Sequence, residues 1–405
     1  MKIPITREFD WKLFLLWFLL VLFGIIYIFS ASTYKVDSEI IRADYWWKQI
    51  CFAVISLIAL FAILKIPTNI LDVFVYPAYI LTIGLLFIVL FMPQINNATR
   101  WIIVAGIRFQ PSEFAKIVLI LVNARLLAKE NISQVSMILK PLGVIALPCL
   151  LVLRQPDLGT SLIIVVTMFI MLIQAGFPII TLFLLLTPII SIVTSFYIPA
   201  FIIFAILLII FLIRKRYSLP VITLIMIINL FFLFITPVIW GTLKPYQQNR
   251  ILTFVDPSRD PLNTGYQVIQ GKIAVGSGQM MGKGYLNGTQ KNMNFLPEHH
   301  TDFIFSVVAE ETGFIGSVML MIVFFLFFIR IIRNIPIPES KERRIAMAGI
   351  LGFITFQVIT NVSMNLGLLP TTGIPLPFIS YGGSNLLVNS ISIALVLKYS
   401  QDKDN

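Results

Sequence analysis

The chain has 405 residues, of which 58% are hydrophobic and only 12% charged, with a formal net charge of +11. That is more apolar surface than a soluble fold of this length can hide, which excludes a water-soluble globular class. In such a chain positive charge is read first as membrane topology, and no nucleic-acid partner is expected.

Apolar runs follow one another along the sequence. In order they are Leu13–Phe29, Ile50–Leu64, Val73–Met92, Phe114–Leu127, Pro141–Leu153, Leu158–Ala175, Ile179–Tyr197, Ala200–Ile213, Leu219–Trp240, Phe314–Ile332, Ile345–Met364 and Leu386–Lys398. A bilayer core of about 30 Å takes about 20 helical residues, and these runs lack the alternating polarity of barrel strands. The predicted class is an all-α polytopic membrane protein. Pro141–Leu153 and Ala200–Ile213 are short, so ten spans with one re-entrant hairpin stand open beside twelve. The first run follows Arg7 and Lys12 and exceeds the length of a secretory signal core, so it is read as a retained anchor.

With the amino terminus inside, the inner loops carry Arg125, Lys129 and Lys140, then Arg214, Lys215 and Arg216, then Arg330, Arg333, Lys341, Arg343 and Arg344. This satisfies the positive-inside rule and places the segment after Trp240 outside. Cys51 and Cys149 both lie in apolar runs and suggest neither a disulfide framework nor a thiolate metal site.

Polar residues inside the apolar runs require a reason. Pro111 and Ser112 read as a helix start, after which Glu113, Lys116, Ile120 and Asn123 share one face. Charged groups in lipid face a protein interior or a wet cavity, so Glu113 and Lys116 are either an ion pair locking helices or part of an active-site lining. Gln357, Asn361 and Asn365 recur at i, i+4 and i+8, and interhelical hydrogen bonding is the preferred account. Beyond them, Pro370, Gly373, Pro375 and Pro377 forbid continuous helix until about Ser384. Irregular backbone at that depth is tolerated when buried in protein or beside water, which predicts the wall of a cavity opening outward.

Residues 241–313 form one long polar, glycine-rich segment. Over 241–302 it holds six basic residues (Lys244, Arg250, Arg259, Lys272, Lys283, Lys291) and four acids (Asp256, Asp260, Glu298, Asp302), a balance of +2. Its glycines could cradle an anion such as a phosphate or simply make turns, and spacing does not separate the two. Gly284 stands where a P-loop needs Ser or Thr. The tandem His299-His300 lacks metal-ligand spacing, so a helix-start or surface role is preferred. Asp260 sits in a turn-like setting between two prolines, where a carboxylate at a cavity rim could act as general base.

The strings RFQPSEFAK, QPDLGTS, DPSRDPLNTGYQVIQGKIAVGSG, FLPEHHTDFIFSVVAEETGFIG and PLPFISYGGS resemble the SEDS (shape, elongation, division and sporulation) family of bacterial cell-wall proteins, in order from about residue 95 to 395. The stretch TTGIPLPFISYGGS and the glycines at 276 and 278 look more like its rod-shape branch than its division branch. The resemblance implies a single SEDS-type helical bundle over 1–405, with a large extracytoplasmic loop at 241–313 and, against a usual ten spans, an extra hairpin at 179–213. It also implies a bacterial cytoplasmic-membrane peptidoglycan glycosyltransferase that polymerises lipid II, releases polyprenyl pyrophosphate and works with a class B penicillin-binding transpeptidase.

By the same resemblance Asp260 is the catalytic loop aspartate, with Glu113 and Lys116 as a supporting intramembrane pair. Substrate contacts are expected at Arg100, Arg108, Gln270, Lys272, Lys283 and Ser380. No cofactor is fixed, and a divalent cation, Mg or Mn, stays open. Two rivals remain: a flippase for the lipid-linked precursor, and a non-catalytic scaffold for the cross-linking partner.

Overall fold

A computed structural model describes residues 9–36, 39–93, 99–104, 107–129, 134–243, 245–256, 264–289 and 300–401. The elements run α1 (Trp11–Ser32), β1 (Thr33–Val36), β2 (Glu39–Arg42), α2 (Tyr45–Lys65), α3 (Thr68–Val89), β3 (Ile102–Val104), β4 (Ile107–Phe109), α4 (Pro111–Ala128), α5 (Gln134–Arg154) and α6 (Leu158–Gln174). They continue with α7 (Ile179–Thr194), α8 (Ile198–Arg214), α9 (Leu219–Thr242), α10 (Pro245–Val255), α11 (Thr264–Ser277), α12 (Ile304–Asn334), α13 (Lys341–Asn365) and α14 (Gly383–Gln401). Each of the apolar runs falls on one helix, with Val73–Met92, Leu158–Ala175 and Ile179–Tyr197 extending one to three residues past the helix end. Among the described residues seven helices are long and apolar enough to cross a membrane, and α6, α7 and α8 are shorter apolar helices. The chain is a multi-pass membrane protein.

Helix α13 is the axis of the bundle: 72% of its most apolar window is buried, against 11% for α9. Small residues let its neighbours come close. A side chain at Gly349 would meet Ile120 of α4 and Met171 of α6, and one at Gly352 would meet Ile170. Gly24 of α1 similarly admits the backbone of Phe378 and Ile379. Because lipid is as apolar as leucine, such close packing and interhelical hydrogen bonds, such as Trp17 Nε1 to Ser390 Oγ at 3.2 Å, hold the helices together. Helices α7 and α9 carry their own polar tie, in which Asn229 donates to Thr187 Oγ1 at 3.1 Å and accepts from Ser191 Oγ at 2.6 Å.

Two features depart from the sequence reading. The two hairpins β1–β2 and β3–β4 are antiparallel and lie between membrane helices, a small addition to the expected all-α class. The segment after Trp240 contains the helices α10 and α11 and is not an irregular loop throughout.

The end of the bundle opposite that segment is rich in cations held by polar partners. Arg125 reaches Asp72 O at 2.8 Å and Glu342 Oε1 at 3.1 Å, which joins α3, α4 and α13. Lys398 caps α2 through Leu64 O at 3.1 Å. Asp10, the N-cap of α1, receives Leu13 N, Arg330 Nε at 2.8 Å and Asn334 Nδ2 at 2.7 Å. Burial pushes its carboxyl up, but these hydrogen bonds and the Arg330 charge outweigh burial and hold it below its ordinary value. Its contribution to stability is therefore present above the ordinary carboxylate range near pH ~3.9 and is lost as pH falls through the lower native value. Thermal unfolding followed against pH should show an acid-side loss of stability that is reduced in Asp10→Asn. Superimposable profiles would contradict this role.

Candidate active site

At the loop-bearing end lies a cavity of about 260 Å³. The first turns of α4, α6 and α14 meet there with α13, and the irregular segment between α13 and α14 closes one side. That segment behaves as its prolines and glycines dictate. Gly367, Gly373 and the buried Phe378 have φ of 68°, 71° and 67°, so the chain turns repeatedly and does not continue as helix. Thr372–Pro375, Tyr381 and Gly382 line the cavity.

Glu113 forms part of the floor. Pro111 at N1 starts α4 and sets this carboxylate in the first turn, near the helix amino terminus, where negative charge is favoured. Glu113 Oε1 accepts from Lys116 Nζ at 2.8 Å and Oε2 from Asn385 Nδ2 at 3.0 Å. Both side chains of the ion pair are at most 5% exposed. Lys116 Nζ also lies 4.9 Å from the centre of the Phe353 ring on α13. The pair thus joins α4 to α13 and α14, and Glu113 lines the cavity.

A second polar group forms the rim. Asp157 caps α6, accepting from Thr160 N at 3.2 Å and Thr160 Oγ1 at 2.9 Å. Its Oδ2 also accepts from Gln110 Nε2 at 3.2 Å, and Arg100 Nη1 lies 3.9 Å from Oδ1. Arg100 is anchored by Gln155 O and Pro156 O and lines the cavity. Asp302, one of the four acids of the polar segment, lines it too, as do Gln110, Asp157 and Asn385, which the sequence reading does not single out. The N-cap pattern in QPDLGTS was a readable signal for Asp157. Nothing local announces that residues before α4, before α12 and in the first turn of α14 come together beside it.

Ser380 is committed to holding the wall. Its hydroxyl donates to Thr301 O at 2.7 Å and accepts from Leu376 N at 2.8 Å. Tyr381 N donates to His300 O at 2.9 Å, and the His300 ring stacks on Tyr45 at 4.2 Å. Burial pushes the Tyr381 phenol up and Tyr45 adds to this, against the Arg108 charge, so Tyr381 presents a neutral hydroxyl. Arg108 itself is exposed on β4 and is not among the lining residues.

The glycine-rich segment turns out to be a staple. Gly313, at φ 69° and ψ −165°, breaks α12. Phe314 N and Ile315 N then donate to Gln279 O and Met280 O, while Lys283 N and Gly284 N donate to Glu310 O and Glu311 O. Side chains at Gly278 or Gly282 would strike the backbone at Ala309 and Glu311, so these glycines serve close backbone approach. Lys283 Nζ pairs with Glu310 at 2.7 Å, and Glu311 accepts from Ser30 Oγ at 2.6 Å. Lys272 lies over Gly367 at the end of α13, and Gln270 is half-buried on α11. Neither is among the cavity-lining residues. Asp260 and His299 fall outside the described residues.

Among the described residues no three His, Cys, Asp or Glu side chains converge closely enough to hold a metal ion. The Asp157 oxygens already accept hydrogen bonds from Thr160 and Gln110. The described part of the cavity does not fit a resident cation.

Comparison with known proteins covers the chain almost end to end. The family FTSW_RODA_SPOVE, described as Cell cycle protein, matches residues 10–203 and 199–405. The peptidoglycan glycosyltransferase RodA of Treponema pallidum (strain Nichols) is 31% identical, over 98% of both chains. The peptidoglycan glycosyltransferase MrdB of Escherichia coli (strain K12) is 32% identical, over 84% of this chain and 82% of its own. A probable peptidoglycan glycosyltransferase FtsW of Wigglesworthia glossinidia brevipalpis is also 32% identical, over 95% and 92%. Among solved structures, a chain from a peptidoglycan synthase complex that coordinates polymerization and crosslinking superposes with a TM-score of 0.73 at 27% identity, over 98% of each chain. The rod shape determining protein RodA of Thermus thermophilus superposes with a TM-score of 0.65 at 24% identity, over 99% of this chain and all of its own, and speaks to the fold.

The floor pair makes a stability prediction. Lys116→Met leaves Glu113 buried without its counter-charge, which costs about 3–5 kcal/mol. The double variant Glu113→Gln with Lys116→Met should recover much of that loss, as read from thermal unfolding in detergent. Additive losses in the double variant would contradict the coupling.

Proposed function

This chain belongs to the family of FtsW, RodA and SpoVE cell cycle proteins, and from that premise we propose that it is a peptidoglycan glycosyltransferase that polymerises lipid II into glycan strands for cell elongation. The observation that carries the reading is a polar, partly ionised cavity set among the helix ends of a membrane bundle, in a chain aligned over 98% of its length with a glycosyltransferase RodA. A saccharide needs a wet, hydrogen-bonding pocket, and its polyprenyl tail needs lipid. A cavity at the end of a helical bundle supplies both. We assign that end to the outer face of the cytoplasmic membrane, because the opposite end gathers Arg125, Arg330 and the 214–216 cluster.

In the proposed reaction the acceptor sugar hydroxyl attacks the anomeric carbon of the donor. The new C–O bond forms as the bond to the pyrophosphate oxygen breaks, the hydroxyl proton passes to Asp260, and polyprenyl pyrophosphate departs. A single displacement inverts the anomeric configuration. Arg100, fixed by two carbonyls and partly exposed at the rim, is the described cation best set to meet the leaving pyrophosphate. Glu113 and Lys116 shape the floor and are not required to exchange protons. Lys283 and Ser380 are reassigned from substrate contact to scaffolding, because their polar atoms already serve Glu310 and Thr301.

The superposition on a chain from a synthase complex supports a transpeptidase partner, which we take to be a class B penicillin-binding protein. We also retain the hairpin at 179–213, α7 and α8, as an addition to a ten-helix core. Asp260→Ala should abolish glycan polymer formation from purified lipid II, assayed with and without the transpeptidase. Undiminished polymer would remove Asp260 from the mechanism, and a product confined to unpolymerised lipid II from the wild-type complex would instead favour a transporter.

A further inference from the structure

Three polar side chains follow one another on one face of α13, and their surroundings differ. Asn365 Nδ2 donates to Asp302 O at 3.0 Å and its Oδ1 accepts from Ser306 Oγ at 2.6 Å. Asn361 Nδ2 donates to Asp302 O at 2.9 Å and Ile374 O at 2.8 Å. These two are the interhelical ties that such a stripe is expected to make. Gln357 is different. It is 0% exposed, and neither its Nε2 nor its Oε1 has a hydrogen-bond partner among the described residues.

A buried carboxamide with both ends unpaired is destabilising, and an apolar side chain of similar volume would be the more stable choice at that position. Such a departure is expected where a polar group is kept for something other than folding. Gln357 lines the cavity, on the same helix face as Phe353, one turn away, whose ring carries the Lys116 ammonium. Its neighbours in the lining include Glu113, Thr160 and Asn385.

We infer that Gln357 is a saccharide-reading residue of this cavity, its carboxamide donating to and accepting from the neutral hydroxyl and acetamido groups of the bound lipid-linked sugar. The inference rests on the glycosyltransferase reading above and adds to it a specificity-determining contact. The neutral amide suits a neutral ligand group. A pyrophosphate is served by the cation Arg100 at the rim, and Gln357 contributes nothing to it. Filling the site with ligand satisfies the amide, so the polar group that weakens the empty fold strengthens the complex. A site built to hydrogen-bond a substrate group discriminates through such otherwise unpaired atoms.

The test uses the full-length chain in nanodiscs, with lipid II and polyprenyl pyrophosphate as separate probes. In Gln357→Met the thermal midpoint should be unchanged or higher. KM for lipid II should rise about tenfold, as expected for losing two hydrogen bonds, while affinity for polyprenyl pyrophosphate stays at the wild-type value. Unchanged KM would overturn the inference and leave a buried water as the partner of Gln357. A lowered midpoint with both affinities falling together would also overturn it, because a structural role predicts that pattern. Gln357→Leu repeats the test with a second apolar shape, and failure of both variants to fold counts against the inference. Wild-type protein that neither binds nor polymerises lipid II would sink the glycosyltransferase reading itself, an outcome distinct from an active enzyme indifferent to residue 357.

Discussion

A charge inside a membrane has to be answered by another charge, and here the answer is the contact between Glu113 and Lys116. Both side chains are nearly free of solvent, and each is the other's counter-charge. Satisfying the pair recruits more of the bundle. Asn385 of α14 donates to the second carboxylate oxygen, and the Phe353 ring of α13 faces the ammonium. Three helices are thereby registered at one depth, and the cavity opens at that depth. The irregular segment after α13 and the capped start of α6 then become its walls, because each needs a polar neighbour that the lipid cannot provide.

A second constraint works on the segment above the cavity. Glu310 and Glu311 are buried carboxylates on α12, and both are spent on structure: the first holds Lys283 and Thr289, and the second holds Ser30 of α1. The break at Gly313 turns backbone N–H groups toward Gln279 and Met280, and glycines at 278 and 282 let the two backbones touch. One end of the long segment is thus anchored firmly to the bundle.

Much of this was legible in the chain. Long apolar runs locate the membrane helices because lipid imposes a length and a polarity on them. The prolines and glycines between 370 and 382 announced irregular backbone, and PSEFAK placed Glu113 and Lys116 one turn apart. What depends on contacts between distant segments was not legible. Arg100 and Gln110 flank the β3–β4 hairpin, Asp157 lies between α5 and α6, and their convergence is a property of the packed bundle. Lys283 stands among glycines in the sequence, and its pairing with Glu310 depends on a contact between distant segments. Helices α10 and α11 escaped notice because glycines and prolines dilute the helical pattern there, and Asn361, Asn365 and Gln357 share a period while only the first two find partners.

The central claim is that the cavity between α4, α6, α13 and α14 receives the sugar of a lipid-linked substrate. A structure of the full-length protein with lipid II bound tests it most directly. The account predicts saccharide density in the cavity, beside Gln110, Asp157 and Asn385, with the pyrophosphate toward Arg100. A head group lodged elsewhere, with this cavity empty, would contradict it.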